Sequence, residues 1–314
     1  MKTKVWLALV ALYIVWGSTY LAIRFAVETI PPFFHAGLRF LISGAILYIW
    51  RRMAGDEAPT WSNWRSAAIV GAALLLGGNG FVAWAEQTVP SGIAALMIST
   101  SPFWLVLFEA FRAGGAKPTW QSIAGLIMGF GGVFLLIGPA EILGTTHSFN
   151  TFGIVLLLLA PIFWSMGSIY ARGADMPKST LLGTGMEMLA GSVALFIVSL
   201  ARGELSGFSF AAVTMRSWLG LAYLITFGSL VGFVSYGYLL HNAPVSLLST
   251  YAYVNPVVAV FLGWLLANEE LNARIGIASA IIIGSVILIN SARQAKVKTK
   301  TNADVLQTVP EGDD

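Results

Sequence analysis

The sequence predicts an all-α membrane protein of ten transmembrane helices, built as two inverted five-helix repeats. Three observations carry that prediction. The composition is 57% hydrophobic and 11% charged, with a mean hydropathy of +0.77 over 314 residues. A soluble domain carries about 25% charged residues, more than twice as many. The apolar segments run to about 20 residues, the length that about 30 Å of hydrocarbon requires, and are mostly too long and unbroken for the alternating strands of a membrane barrel. Landmark residues also recur between the two halves.

The segments, in order, are 5–27, 32–50, 66–86, 91–111, 119–138, 151–171, 179–201, 217–240, 244–267 and 274–292. Their joints are short and carry breakers: Pro31-Pro32, Pro59, Pro90, Pro118, Pro177 and Pro244. Lys2 and Lys4 precede the first segment as they would in a signal peptide. The apolar run is too long for one and ends without a clear cleavage site, so it reads as an uncleaved helix. Residues 293–314 turn polar and are expected to form a disordered cytoplasmic tail. Assigning the joints alternately places thirteen of the eighteen Lys and Arg residues on the side of the termini. The positive-inside rule makes that side the cytoplasm, so the expected location is the cytoplasmic (inner) membrane, multi-pass, with both termini inside.

The repeat is legible residue by residue. VALYIVWGSTYLAIR (10–24) aligns with LLAPIFWSMGSIYAR (158–172), so Trp16 meets Trp164 and Arg24 meets Arg172. Pro90 matches Pro244 and Pro102 matches Pro256 at nearly the same offset, and GGVFLLI (131–137) matches GSVILIN (284–290). Five helices is an odd number, so the second copy (144–292) enters the membrane upside down relative to the first (1–143). Inverted repeats around a midplane site belong to secondary transporters with alternating access.

Several chemistries are excluded. The absence of cysteine removes disulfides, thiolate zinc sites, iron–sulfur clusters and cysteine nucleophiles. There is no G-x-x-x-x-G-K-[ST] run to bind ATP, and no H-E-x-x-H or G-x-S-G. Every Asp lies in a joint or the tail. We therefore expect no catalytic residues, no metal and no cofactor. A net charge of +3 without long charge runs argues against nucleic acid.

Particular stretches carry a family resemblance. WGSTYLAIR (16–24) and LRFLISGAILY (38–48) resemble the opening of the EamA-type drug/metabolite transporters. GNGFVAWAEQTVPSGIAALMISTSP (78–102) is similar to the drug/metabolite exporter branch, and SLLSTYAYVNPVVAVFLGWLLANEEL (246–271) to the family's second repeat. The resemblance covers about residues 5–292. It implies a ten-helix secondary exporter of the cytoplasmic membrane that takes a small-molecule substrate. Its energy would come from a proton gradient, with Glu86 and Glu187 as the candidate coupling carboxylates, or from the substrate gradient alone.

Ionisable side chains at membrane depth are functional candidates. Arg24, Arg39 and Glu86 fall toward the outer ends of their segments. Arg172, Glu187 and His241 fall toward the inner ends of theirs. The expectation is two polar gates that pair and separate as the protein switches. Glu109 is assigned to a local pair with Arg112. Helical spacing and aromatic or hydroxyl character nominate Trp16, Tyr20, Asn79, Ser99, Trp164, Ser168, Tyr236, Thr250 and Tyr253 as walls of a central substrate cavity. Pro102 and Pro256 are expected to break the fourth and ninth helices and to free the carbonyls of Ile98 and Ala252. The Gly125, Gly129 and Gly132 stripe reads as a packing face or a dimer face, leaving monomer and homodimer open. The alternative function is an intramembrane enzyme acting on a lipid or lipid-linked substrate, for which Glu86 with His35 is the best available cluster.

Overall fold

The computed structural model describes residues 3–111, 117–138, 150–243, 245–248 and 250–307. Among them are ten apolar helices and no strand. The helices are α1 (Thr3–Ala26), α2 (Pro32–Met53), α3 (Trp61–Ala85), α4 (Ser91–Phe111), α5 (Trp120–Ile137), α6 (Thr151–Ala171), α7 (Thr180–Ala201), α8 (Met215–Leu239), α9 (Tyr251–Ala267) and α10 (Ala273–Gln307). Nine are long and apolar enough to cross a bilayer, and α9 is shorter because a break precedes it. Large apolar side chains such as Leu7, Ile14, Ile197 and Ile277 point outward from the bundle, as lipid-facing positions require.

Local chemistry sets where the helices begin. Thr60 and Asn63 form a reciprocal capping box, with Asn63 N–H donating to Thr60 Oγ1 at 3.2 Å and Thr60 N–H to Asn63 Oδ1 at 2.9 Å. This cap starts α3 at Trp61 and not at residue 66. Thr119, Asn150, Ser179 and Thr214 cap α5 to α8 one way, each accepting a backbone N–H at its side-chain oxygen. The backbone of α10 stays helical to Gln307, where composition suggested a disordered tail. Ala, Lys, Gln and Leu in this stretch are good helix formers, so polarity alone does not end a helix.

Contacts at the helix ends fix the direction of each crossing. We call the end of the bundle where α1 starts proximal and the other distal. The distal end joins Thr29 to Ser217 (2.8 Å), the α2 N-terminus to Glu204 and the α4 N-terminus to Glu269. The proximal end joins Asn63 to the Asp175 carbonyl (3.1 Å) and Arg172 to Glu109 (3.5 Å). Accordingly α6 begins at the end where α1 finishes, which is the inversion that five helices per half demands.

The halves interleave. Helix α1 packs on α8 and α9, and α6 packs on α3 and α4, so the first helix of each half lies against the third and fourth of the other. The remaining pairs are also symmetric: α2 lies on α7, and α5 on α10. Small residues allow the close approach. Gly44 faces Met188 and the Gly185 carbonyl, while Gly125, Gly129 and Gly132 face Ile289, Ser285 and Ile282 of α10. The α5 stripe is therefore a packing face within the chain.

Candidate functional site

The site grows out of irregular backbone at matched positions in the two halves. The middle of α3 (Ala72–Gly80) and the middle of α8 (Leu224–Val231) are both π-helical. Such wide turns are rare and frequently mark functional sites, because they leave carbonyls less fully engaged. A tryptophan from the opposite half lies on each. Trp16 donates its indole N–H to the Gly228 carbonyl at 3.2 Å and packs so closely on Gly232 that a β-carbon there has no room. Trp164 lies against Gly78, 3.0 Å from where a β-carbon would stand.

The fourth helix is broken just before Pro102, at Ser99 and Thr100. Three successive hydroxyls close the break, each donating to the carbonyl three residues back at 2.6 Å: Ser99 to Leu96, Thr100 to Met97 and Ser101 to Ile98. The carbonyl that Pro102 frees thus finds its donor in Ser101. In the second half the break falls earlier than Pro256, between Val245–Leu248 and α9, and Pro256 lies inside a continuous helix. Thr250 donates to the Leu247 carbonyl at 2.5 Å and accepts the Tyr13 hydroxyl.

These elements enclose a cavity of about 190 Å³. Of the sequence-derived set, Trp16, Tyr20, Asn79, Ser99 and Trp164 line it, as do Pro102 and Pro256. Four residues do not. Tyr236 stands one layer back, stacked on Trp16 with ring centroids 5.4 Å apart. Ser168 donates into its own helix at the Trp164 carbonyl (2.7 Å), and Thr250 is held by Tyr13. Tyr253 packs on the Phe103 cluster, while Tyr251, two residues away, reaches the cavity. Helical periodicity fixes a face only when the helix start is known, and α9 starts afresh at Tyr251, after the turn at Thr250. Phe40 and Asn255 complete walls that periodicity did not nominate, and Phe233 joins them from the α8 face that helical spacing gives it with Ser229 and Tyr236.

The expected gates are rearranged. Arg24 donates to the backbone carbonyl of Glu86, and both carboxyl oxygens of Glu86 are buried without a hydrogen-bond partner among the described residues. Arg39 does not join them. It lies in the cavity wall, 5% exposed, and its Nε donates to Ser229 Oγ of the α8 π-segment at 2.9 Å. At the proximal end Arg172 pairs with Glu109 at 3.5 Å, and Arg112, the local partner expected for Glu109, lies outside the described residues. Glu187 makes no ion pair or hydrogen bond among the described residues, and the side chain of His241 lies outside them. His35 Nδ1 sits 3.0 Å from the Pro32 carbonyl, and no contact joins it to Glu86 among the described residues.

Two distal latches escaped the sequence reading. Helices α2 and α4 both start behind a proline, at Pro31 and Pro90, which offers no side-chain oxygen to cap the first N–H groups. Glutamates from the other half supply it. Glu204 accepts from Phe34 N–H at 3.0 Å, and Glu269 accepts from Ser91 N–H (2.7 Å), Ser91 Oγ (2.7 Å) and Gly92 N–H (3.0 Å). The left-handed turn at Asn268 (φ 52°) swings Glu269 back onto α4, and Gly263 leaves space for it. A helix start with no cap of its own was the available signal. At the proximal rim Asp56 accepts from Arg51 Nε (2.8 Å) and Nη2 (2.7 Å). That guanidinium, with help from Ser179, holds its carboxyl below the usual range.

The comparisons with known proteins agree with this architecture. The EamA-like transporter family profile matches twice, at residues 3–138 and 151–291. The inner membrane transporter YedA of Escherichia coli (strain K12) is 37% identical over 301 residues, covering 96% of this chain and 95% of its own. A WAT1-related chloroplastic protein of Arabidopsis thaliana is 24% identical over 292 residues, covering 91% of this chain and 69% of its own. A solved crystal structure superposes with a TM-score of 0.61 at 21% identity, over 92% of this chain and 98% of that one, which shows the shared fold. With the family profile matched in each half and a 37% identical relative over nearly the whole length, the chain belongs to the EamA-like transporter family.

Proposed function

We propose that the chain is a secondary active or facilitative transporter that exports small organic molecules (metabolites, amino acids or drugs) across the cytoplasmic membrane by alternating access. The observation that carries this reading is the cavity between the halves, walled by Trp16 on one π-segment and Trp164 on the other. A site built from equivalent parts of two inverted halves can be reached from either side when the halves rock. The halves divide at about residues 143–144. The proximal end faces the cytoplasm, in keeping with the Lys and Arg bias. The distal latches at Glu204 and Glu269 tie one half to the other and are the contacts that release during switching. Glu86, buried with both carboxyl oxygens unpartnered among the described residues, is the group through which a proton would couple to transport. The test is counterflow in proteoliposomes across a panel of organic anions, amino acids and cationic dyes. Exchange of a labelled compound above empty liposomes supports transport; no exchange with any class contradicts it.

A further inference from the structure

We infer that the substrate of this cavity is a small organic anion, one carboxylate on an apolar body, anchored by Arg39; the inference rests on the cavity being the transport site. Arg39 lies about two turns into α2 and is 5% exposed. A cation at that depth is costly unless an acid or several acceptors face it. The described residues provide little. Nε donates to Ser229 Oγ at 2.9 Å, and the guanidinium stands 4.7 Å from the centre of the Phe40 ring. No carboxylate lies within 4.0 Å of it among the described residues, whose ion pairs all join other arginines or a lysine to acids elsewhere. His35, one turn away, faces the Pro32 carbonyl.

A guanidinium has five donors in a planar fork that matches a carboxylate. One is used, and the two terminal nitrogens have no hydrogen-bond partner among the described residues. Arg39 belongs to the cavity wall, so a ligand there can be the missing acceptor. The same walls hold no Asp or Glu. An ammonium group entering the cavity would meet Arg39 as a like charge and find no acid to pair with. The charge balance therefore favours monoanions over zwitterions, and zwitterions over cations. Trp16, Phe233, Tyr251 and Leu105 offer apolar surface for the body of the molecule.

The experiment uses full-length protein in lipid nanodiscs at pH 7 and three ligands that share a phenyl ring: phenylacetate, phenylalanine and phenethylammonium. Calorimetric titration is expected to rank phenylacetate at least about tenfold tighter than the other two. Arg39→Gln should abolish that preference, and Arg39→Lys should restore part of it. Should Arg39→Gln fail to fold, the ranking on the unaltered protein decides. Phenethylammonium binding as tightly as phenylacetate overturns the inference, as does binding of none of the three, or an anion preference that survives in Arg39→Gln. Chloride or phosphate displacing phenylacetate at similar concentration would make this an inorganic-anion site and overturn the organic assignment. Ala252→Trp, which fills the cavity, separates the two readings. Phenylacetate binding unchanged in that variant contradicts the cavity as substrate site, whereas its loss there with no charge preference in the unaltered protein contradicts only the anion.

Discussion

The indole of Trp16 donates to the carbonyl of Gly228, so the first helix of one half is pinned to the π-turn of the other at 3.2 Å. Three further rings, Phe233, Tyr236 and Tyr251, lie with centroids 5.3–5.4 Å from it. One side chain is thus both cavity wall and inter-half contact. Substituting Trp16→Phe keeps an aromatic ring but removes the N–H donor and the second ring of the indole, a loss of about 1–3 kcal/mol of stability. Counterflow should fall several-fold while membrane abundance stays near normal. If abundance and transport fall together, Trp16 is packing only.

The hydroxyl triad before Pro102 gives a stability prediction. Ser101→Ala leaves the Ile98 carbonyl without the donor it has at 2.6 Å. The bond is part-buried at the cavity wall, so its loss costs about 1 kcal/mol; the variant should melt a few degrees lower, and Ser101→Thr should restore the value. An unchanged melting temperature in Ser101→Ala would show that another donor reaches that carbonyl.

The distal latch predicts a shift in conformational balance. Glu269→Gln removes the charge behind three hydrogen bonds at the α4 N-terminus and replaces one of the two acceptor oxygens with a donor, so the bonds to Ser91 and Gly92 cannot all be kept. Loosening of about 1–2 kcal/mol should raise distal accessibility of the cavity about tenfold. The readout is modification of a cavity cysteine by a membrane-impermeant maleimide; an unaltered labelling rate would mean that the latch only caps a helix.

Proton coupling is read at Glu86. Glu86→Gln keeps the side chain's shape and removes its exchangeable charge. Accumulation driven by an imposed pH gradient should be lost, and exchange at equal pH retained. Retained pH-driven accumulation would remove Glu86 from the coupling step, and Glu187→Gln would then be the variant to assay.

The parts of this account legible in the sequence are those that depend on periodicity and composition: ten helices, their order, and the pairing of Trp16 with Trp164. Pro102 also gave away its break, because a proline and its freed carbonyl are local. What stayed hidden depends on contacts distant in the chain. Arg39 reads as a gate beside Arg24 and Glu86 from depth alone, yet it reaches across to Ser229, 190 residues away. Tyr253 and Tyr251 differ by two positions, and only the break ahead of α9 decides which one meets the cavity. The π-segments left a faint trace in GGNG and FGS, glycines that give a tryptophan from the other half somewhere to lie.

The central claim is that one cavity between the halves opens in turn to each side of the membrane. The chain has no cysteine, so a single Ala252→Cys places a unique thiol on that wall without removing any native one. The measurement is labelling of this thiol by an impermeant maleimide, applied separately to the cytoplasmic and the opposite face of oriented vesicles. Modification from both faces, followed by loss of counterflow, is the predicted result. Modification from one face only, or from neither, would contradict alternating access through this cavity.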